Sequence, residues 1–314
     1  MHLLPHTSLS VFPLCLGTNV FGWTADAGES FAVLSAYRDA GGNFIDTADM
    51  YSEWADGHVG GESETIIGRY VATQGCRDEL VIATKVAKLS SRKGLSPDNI
   101  VAAAEDSLRR LRTDYIDLYY AHEDDPSVPV ADCLGAYQSL IDAGKVRYVG
   151  ASNFTAERLA ESLHIAAAEN LPRYVAAQNQ YSLLARDAYE GALAECCAQH
   201  ELSMFPYWAL ASGFLTGKYR GGARVDSPRA EGMERFADLS QAPKVLAAIE
   251  TIAQAQGTSM AAVALAWCAT HPTIPSVIAS ARNVPQLNAL LPMAEIQLSA
   301  EDKRQLDVAS SPKA

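Results

Sequence analysis

The sequence predicts an α/β fold, a single parallel (β/α)8 TIM barrel over residues 1–314, with its functional loops on the C-terminal face. Three observations carry that prediction. Short apolar runs alternate with amphipathic, helix-like stretches from end to end of the chain. The β-then-α units recur about every 30–40 residues, as a parallel crossover requires, and alternation this regular favours one barrel over separate domains. No G-x-G-x-x-G follows the first strand, which weighs against the fallback, a doubly wound open sheet.

The elements follow in order. Residues 12–16 are the first strand, ending at the turn Gly17-Thr18. Residues 30–40 read as a helix stopped by Gly41-Gly42. Residues 43–45 are the second strand, 62–73 the second helix and 80–84 the third strand. Ser96 and Pro97 open the third helix as N-cap and first-turn proline, and it runs to Arg112. Residues 115–121 are the fourth strand, and 130–143 the fourth helix, closed by Gly144. The second half repeats the theme with strands at 146–151, 175–178, 202–207 and 276–279. Its helices are 155–169, 189–199, 243–256, 259–270 and 284–291. Two long irregular stretches, 52–61 and 211–238, each follow a strand and so belong to the catalytic face.

Composition narrows the class. With 48% hydrophobic residues the chain can bury a large core. A net charge of −12 lacks the basic face that a non-specific nucleic-acid binder needs. The six cysteines, Cys15, Cys76, Cys133, Cys196, Cys197 and Cys268, form no C-x-x-C pair. They predict buried reduced thiols, with no metal site and no disulfide framework. The N-terminus shows no basic region followed by an apolar one. The longest apolar run, 260–269, is far short of the ~20 residues that span a bilayer. The expectation is a cytoplasmic protein with no nucleic-acid or membrane partner. No feature specifies an oligomeric state.

Four polar residues stand at or just after strand ends: Asp46, Tyr51, Lys85 and His122. Parallel strands covered on both faces stay apolar, so a lysine or histidine where one ends is placed to reach a pocket. An acid, a phenol, an amine and an imidazole at one mouth make a proton-transfer site. A free phenol titrates near ~10, and a neighbouring ammonium favours its phenolate. Lys85 can supply that charge, Asp46 can hold Lys85, and Tyr51 then serves as a proton donor. A donor to a carbonyl oxygen needs a partner that attacks carbon, and a hydride donor would serve. Lys85 read alone also fits a Schiff-base lyase.

In these residues the chain resembles the aldo-keto reductases, along nearly its whole length. Asn43-Phe44-Ile45-Asp46-Thr47-Ala48-Asp49-Met50-Tyr51 is similar to the family's first signature, continued by Gly61-Glu62-Ser63-Glu64 and Ile67-Gly68. Ile82-Ala83-Thr84-Lys85-Val86 is similar to the lysine strand, and Asp114-Tyr115-Ile116-Asp117-Leu118-Tyr119 leads into His122. Tyr148-Val149-Gly150-Ala151-Ser152-Asn153-Phe154, Gln178-Asn179-Gln180-Tyr181 and Ala211-Ser212-Gly213-Phe214-Leu215-Thr216-Gly217-Lys218-Tyr219 are further matches.

The resemblance implies a barrel that reduces aldehydes and ketones with NADPH. It implies Tyr51 as general acid, Lys85 and Asp46 as the pair tuning it, and His122 as the group that orients the carbonyl. Members that reduce a conjugated carbon–carbon double bond tend to carry glutamate at this last position, so His122 implies a carbonyl. Ser152, Asn153 and Gln178 would hold the nicotinamide carboxamide, and Tyr207 would stack on the ring. Gly17 and Thr18 would form the cofactor-side turn, with Asp46, Trp208, Leu210 and Ser212 on the same side. Ser280, Arg282 and Gln286 would lie where the family holds the adenosine 2′-phosphate. Arg282 is its natural partner, because a guanidinium offers a fork of donors and a helix start beside it adds a favourable dipole. Two departures stand out. Trp208 replaces a frequent serine, and Leu290 replaces a frequent asparagine, which leaves more of the adenine contact to Gln286. Phe21, Trp23, Trp54 and Trp208, with Tyr51 and His122, would form an aromatic mouth for a small-molecule carbonyl. The alternative from another class is a nicotinamide-binding regulatory subunit with little turnover, bound to another protein.

Overall fold

The structure, a computed structural model, describes residues 1–218 and 235–311. A two-stranded antiparallel hairpin, His2–Leu3 with Ser10–Val11, comes first. Then strands and helices alternate: β1 Leu14–Gly17, α1 Ala27–Asp39, β2 Phe44–Asp46, α2 Glu62–Gln74, β3 Val81–Val86 and α3 Pro97–Leu111. They continue as β4 Ile116–Ala121, α4 Val130–Asp142, β5 Val146–Ser152, α5 Ala156–Glu169, β6 Tyr174–Gln178, α6 Ala192–Gln199 and β7 Ser203–Met204. The chain ends with α7 Ala242–Gln256, α8 Met260–Cys268, β8 Val277–Ala279, α9 Val284–Leu290 and α10 Ala300–Ser310. The order β8-β1-β2-β3-β4-β5-β6-β7 is parallel at every step, the curled sheet of a (β/α)8 fold. Among the described residues β7 and β8 share no ladder. Their ends are joined instead by Met204 N–H to Thr273 O at 2.7 Å and Ile278 N–H to Pro206 O at 3.2 Å.

Local chemistry explains where the elements differ from expectation. Helix α1 begins before residue 30, because Asp26 and Glu29 form a reciprocal capping box. The first strand starts only after Pro13, which has no N–H to give the ladder. Strand β7 is two residues rather than 202–207, and Pro206 helps to end its pairing. The hairpin and α10 have no counterpart in the sequence reading, although Ser299 and Asp302 cap α10 reciprocally.

Two cores lie on either side of the sheet. The inner one gathers Cys15, Phe44, Val81, Ala83, Leu118, Tyr120, Ala176 and Phe205. Leu4, Leu9 and Val11 of the hairpin join it beside Phe44 and Val81, the first residues of β2 and β3. The hairpin therefore stoppers the N-terminal end of the barrel and leaves the C-terminal end for the site. The outer core packs the helices, with Ile45, Ile82 and Tyr119 facing them. All six cysteines are free and buried. Among the described residues no helix is long and apolar enough to cross a membrane, and no His/Cys/Asp/Glu group is arranged to hold a metal ion.

Candidate active site

Strand alternation brings the polar residues together. Side chains of a strand point to its two faces in turn. Phe44 is in the inner core and Ile45 in the outer, so Asp46, the last residue of β2, points inward. Val81 and Ala83 face inward, and so does Lys85, the fifth residue of the six in β3. Lys85 thus lies within its strand, one residue short of the end. Leu118 and Tyr120 face inward on β4, and His122 follows in phase just past the strand. Gln178 closes β6 two residues after inward Ala176. Gly150 on β5 must be glycine, since a Cβ there would fall 2.4 Å from the Tyr120 ring.

The inward groups form a short hydrogen-bonded chain. Lys85 Nζ donates to Asp46 Oδ2 at 2.7 Å, to Thr47 O at 2.7 Å and to Tyr51 Oη at 2.9 Å. Tyr51 Oη lies 3.3 Å from Asp46 Oδ2, to which it can donate, and Gln178 Nε2 donates to Asp46 Oδ1 at 2.8 Å. Lys85 is fully buried and Asp46 is 1% exposed, so the pair is sealed from water. The Tyr51 and His122 rings meet edge to face, 6.2 Å between centroids. The backbone N–H of His122 is pinned to Val86 O at 2.8 Å, and no described group hydrogen-bonds its shielded Nδ1.

These contacts set the protonation states. Burial, aided by the positive charges of Lys85 and Lys88, holds the His122 imidazole well below its ordinary 6.5, so it is neutral at pH 7. Tyr51 goes the other way from the sequence expectation. Burial first, then the Asp46 carboxylate, pushes its phenol well above 10. Lys85 and Asp46 are a close ion pair of opposite sign, so their fields at Tyr51 largely cancel and desolvation decides. Tyr51 keeps its proton in the resting protein.

A cavity of about 850 Å³ runs over this floor. Trp23, Trp54, Tyr51, His122 and Trp208 are among its lining residues. Trp23 meets Trp54 edge to face at 5.6 Å, and Arg235 lies over the Trp208 ring at 4.0 Å. Ser152, Asn153, Gln178 and Tyr207 also line it, as do Gly17 and Asp46. Asn153 is fixed by two hydrogen bonds: its Nδ2 donates to His122 O at 2.8 Å, and its Oδ1 accepts from the Tyr207 hydroxyl at 2.7 Å. Leu210, Ser212, Ser280, Arg282, Gln286 and Leu290 line it as well. The Gln286 side chain accepts from Arg282 N at 3.0 Å, which shapes the backbone beneath the guanidinium.

Two expected lining residues are elsewhere. Phe21 is fully buried in the outer core, and its carbonyl accepts from the Ser52 hydroxyl at 2.8 Å. Thr18 is also buried, because its hydroxyl ties Asp46 O at 2.8 Å and Ser63 at 2.8 Å, so it braces β2 instead of facing the cavity. Asn19, Lys88, Thr216, Lys218 and Ser259 line the cavity without having been singled out. Asn19 and Lys218 sat inside or beside quoted motifs, which was the available signal. Residues 219–234, the middle of the expected loop 211–238, with Tyr219 of the last motif, lie outside the described residues.

Strain marks the same loops. Ser52, Ala87, Asn153, Trp208, Ala211 and Ser212 all have left-handed φ, between 49° and 110°, and none is glycine. Such backbone costs about 1–3 kcal/mol per residue and clusters where function needs it.

The comparisons with known proteins agree with this geometry. The family model described as Aldo/keto reductase family matches residues 13–310. The chain is 36% identical to protein tas of Escherichia coli, covering 96% of this chain and 94% of that one. It is 33% identical to a probable voltage-gated potassium channel subunit beta of Arabidopsis thaliana, over 90% and 88%. It is 32% identical to norsolorinic acid reductase of Emericella nidulans, over 96% and 78%. A barrel with these inward groups, matched over nearly its full length, belongs to the aldo/keto reductase family of oxidoreductases.

Proposed function

We propose that the protein reduces the carbonyl of an aldehyde or ketone to an alcohol with NADPH. The observation that carries this reading is the chain Asp46–Lys85–Tyr51, set beside His122 in a cavity that Arg282 also lines. The residues fit the cofactor. Ser152, Asn153 and Gln178 would hold the carboxamide, and Tyr207 offers the ring to stack on. Gln178 has committed its N–H to Asp46, so its oxygen remains to accept from an amide. Ser280 and Arg282 would take the 2′-phosphate. Bound there, the cofactor supplies the hydride.

The chain's own residues handle the proton. The carbonyl oxygen rests between the Tyr51 hydroxyl and a neutral His122 N–H. As charge builds on that oxygen, Tyr51 gives up its proton to it. An alkoxide is more basic than a phenolate, so a phenol with a raised pKa still transfers its proton downhill. Lys85, donating to Tyr51 Oη, stabilises the phenolate that forms, and Asp46 and Thr47 O hold the ammonium in place.

The test is NADPH oxidation with 4-nitrobenzaldehyde, followed by absorbance, for wild type and Tyr51→Phe. The variant should lose about 10²–10⁴-fold in kcat and still bind NADPH. Full turnover in Tyr51→Phe would refute the assignment. Tight NADPH binding without turnover of any carbonyl would favour a nicotinamide-binding regulatory subunit, a reading supported by the relatives named as channel subunits.

A further inference from the structure

The substrate end of the groove holds a cation that carbonyl reduction as derived above does not use. Lys88 lies two residues beyond the end of β3 and is among the lining residues of the cavity, as are Trp23, Trp54, Tyr51 and His122. Strand alternation alone would send it outward, because Lys85 points in and Lys88 is three residues on. The intervening Ala87 breaks that alternation with φ 110°, a backbone conformation that L side chains rarely adopt. This turn returns Lys88 to the lining of the groove. Its field reaches the carbonyl site, since Lys88 is among the charges that keep His122 neutral.

The surroundings select the ligand. Glu123 Oε2 pairs with Lys88 at 3.1 Å, but an ammonium has three donors and Glu123 occupies one. Glu123 itself does not line the cavity. Among the described residues the one carboxylate that does, Asp46, is taken by Lys85 and Gln178. Trp23 and Trp54, which meet edge to face, supply aromatic surface to the same cavity. A ligand that fills such a space has a planar body, a carbonyl at Tyr51 and His122, and a negative group at Lys88.

We propose that the preferred substrate is a planar, aromatic carbonyl compound carrying a carboxylate, and that Lys88 is the residue that selects it. This rests on the carbonyl-reductase reading above. 4-Carboxybenzaldehyde and 4-nitrobenzaldehyde separate the two, because their substituents are similar in shape and only one is charged. The quantity to compare is the ratio of kcat/KM for the charged aldehyde over the neutral one. Comparing that ratio between variants cancels the different intrinsic reactivities. In Lys88→Met the ratio should fall about tenfold, the loss of one charge-assisted contact. In Lys88→Arg it should stay within about threefold of wild type, because the charge remains. Rising salt should lower the ratio in wild type and leave it level in Lys88→Met. A ratio unchanged in Lys88→Met overturns the proposal. A second readout needs no turnover: quenching of tryptophan fluorescence as 4-carboxybenzaldehyde is titrated into the protein, with and without NADP⁺. Lys88→Met should weaken that binding about tenfold, and equal binding in the two proteins overturns the proposal. If wild type reduces neither aldehyde the reductase reading fails, and the titration still decides the role of Lys88.

Discussion

Replacing Lys85 by methionine removes one charge from a pair sealed inside the barrel. Methionine is close to lysine in length and keeps the packing, so the loss is electrostatic. Asp46 is left with Gln178 Nε2 at 2.8 Å and the Tyr51 hydroxyl at 3.3 Å. Stranding one member of a buried pair costs about 3–5 kcal/mol. The two surviving hydrogen bonds go to a charged acceptor, which places the cost near the lower bound, about 3 kcal/mol. Adding Asp46→Asn discharges the stranded group and keeps an oxygen for Gln178. The double variant should therefore regain about 2 kcal/mol over Lys85→Met alone. Urea titrations at pH 7 on wild type, both single variants and the double variant give the coupling energy. The reasoning is refuted if Lys85→Met unfolds at the wild-type urea concentration, or if the double variant is no more stable than Lys85→Met.

Two other groups, His122 and Asp49, give stability opposite slopes with pH. Below about 6.5 the unfolded chain takes up a proton that His122 in the folded protein refuses, so stability falls as pH drops from there toward 5. His122→Asn should flatten that part of the urea-midpoint profile, and an unchanged profile would acquit His122. Asp49 is 1% exposed, no described group hydrogen-bonds either of its oxygens, and burial with Glu64 pushes its carboxyl from 3.8 up to about 7. Between those values the folded protein keeps a proton that the unfolded chain has lost, so stability falls as pH rises through that window. Asp49→Asn should be the more stable protein at pH 8, by up to about 4 kcal/mol, and equal urea midpoints there would count against the buried acid.

Much of the site was legible because inward-facing strand residues obey a period of two. Asp46, Lys85 and His122 could be placed from the apolar runs that precede them, and the structure sets them on one face. Loop side chains follow no such rule. Phe21 and Trp23 are two residues apart in the same loop, yet one enters the outer core and the other lines the cavity. Thr18 looked like a cofactor turn and became a brace for Asp46 because Ser63, from α2, lies against it. Lys88 escaped notice because its direction depends on one unusual φ at Ala87. The proton on Tyr51 depends on how nearly Asp46 cancels Lys85, a matter of distances that no spacing along the chain conveys. The hairpin stopper depends on long-range packing that puts Leu4 and Leu9 in one core with Phe44 and Val81.

The joint between β7 and β8 has a mechanical consequence. The rest of the ring is held by ladders, but this seam is held by isolated hydrogen bonds around Pro206 and Thr273. The cavity is walled on one flank by the chain after β7, from Tyr207 to Lys218, and on the other by the chain from Ile278 to Leu290. A molecule lying in the groove therefore spans the seam and fastens it like a staple. The ring alone should open there first, since local opening begins where hydrogen bonds are fewest. Its closure becomes partly a property of the ligand, worth about 2.7 kcal/mol of added stability at a hundredfold excess over Kd.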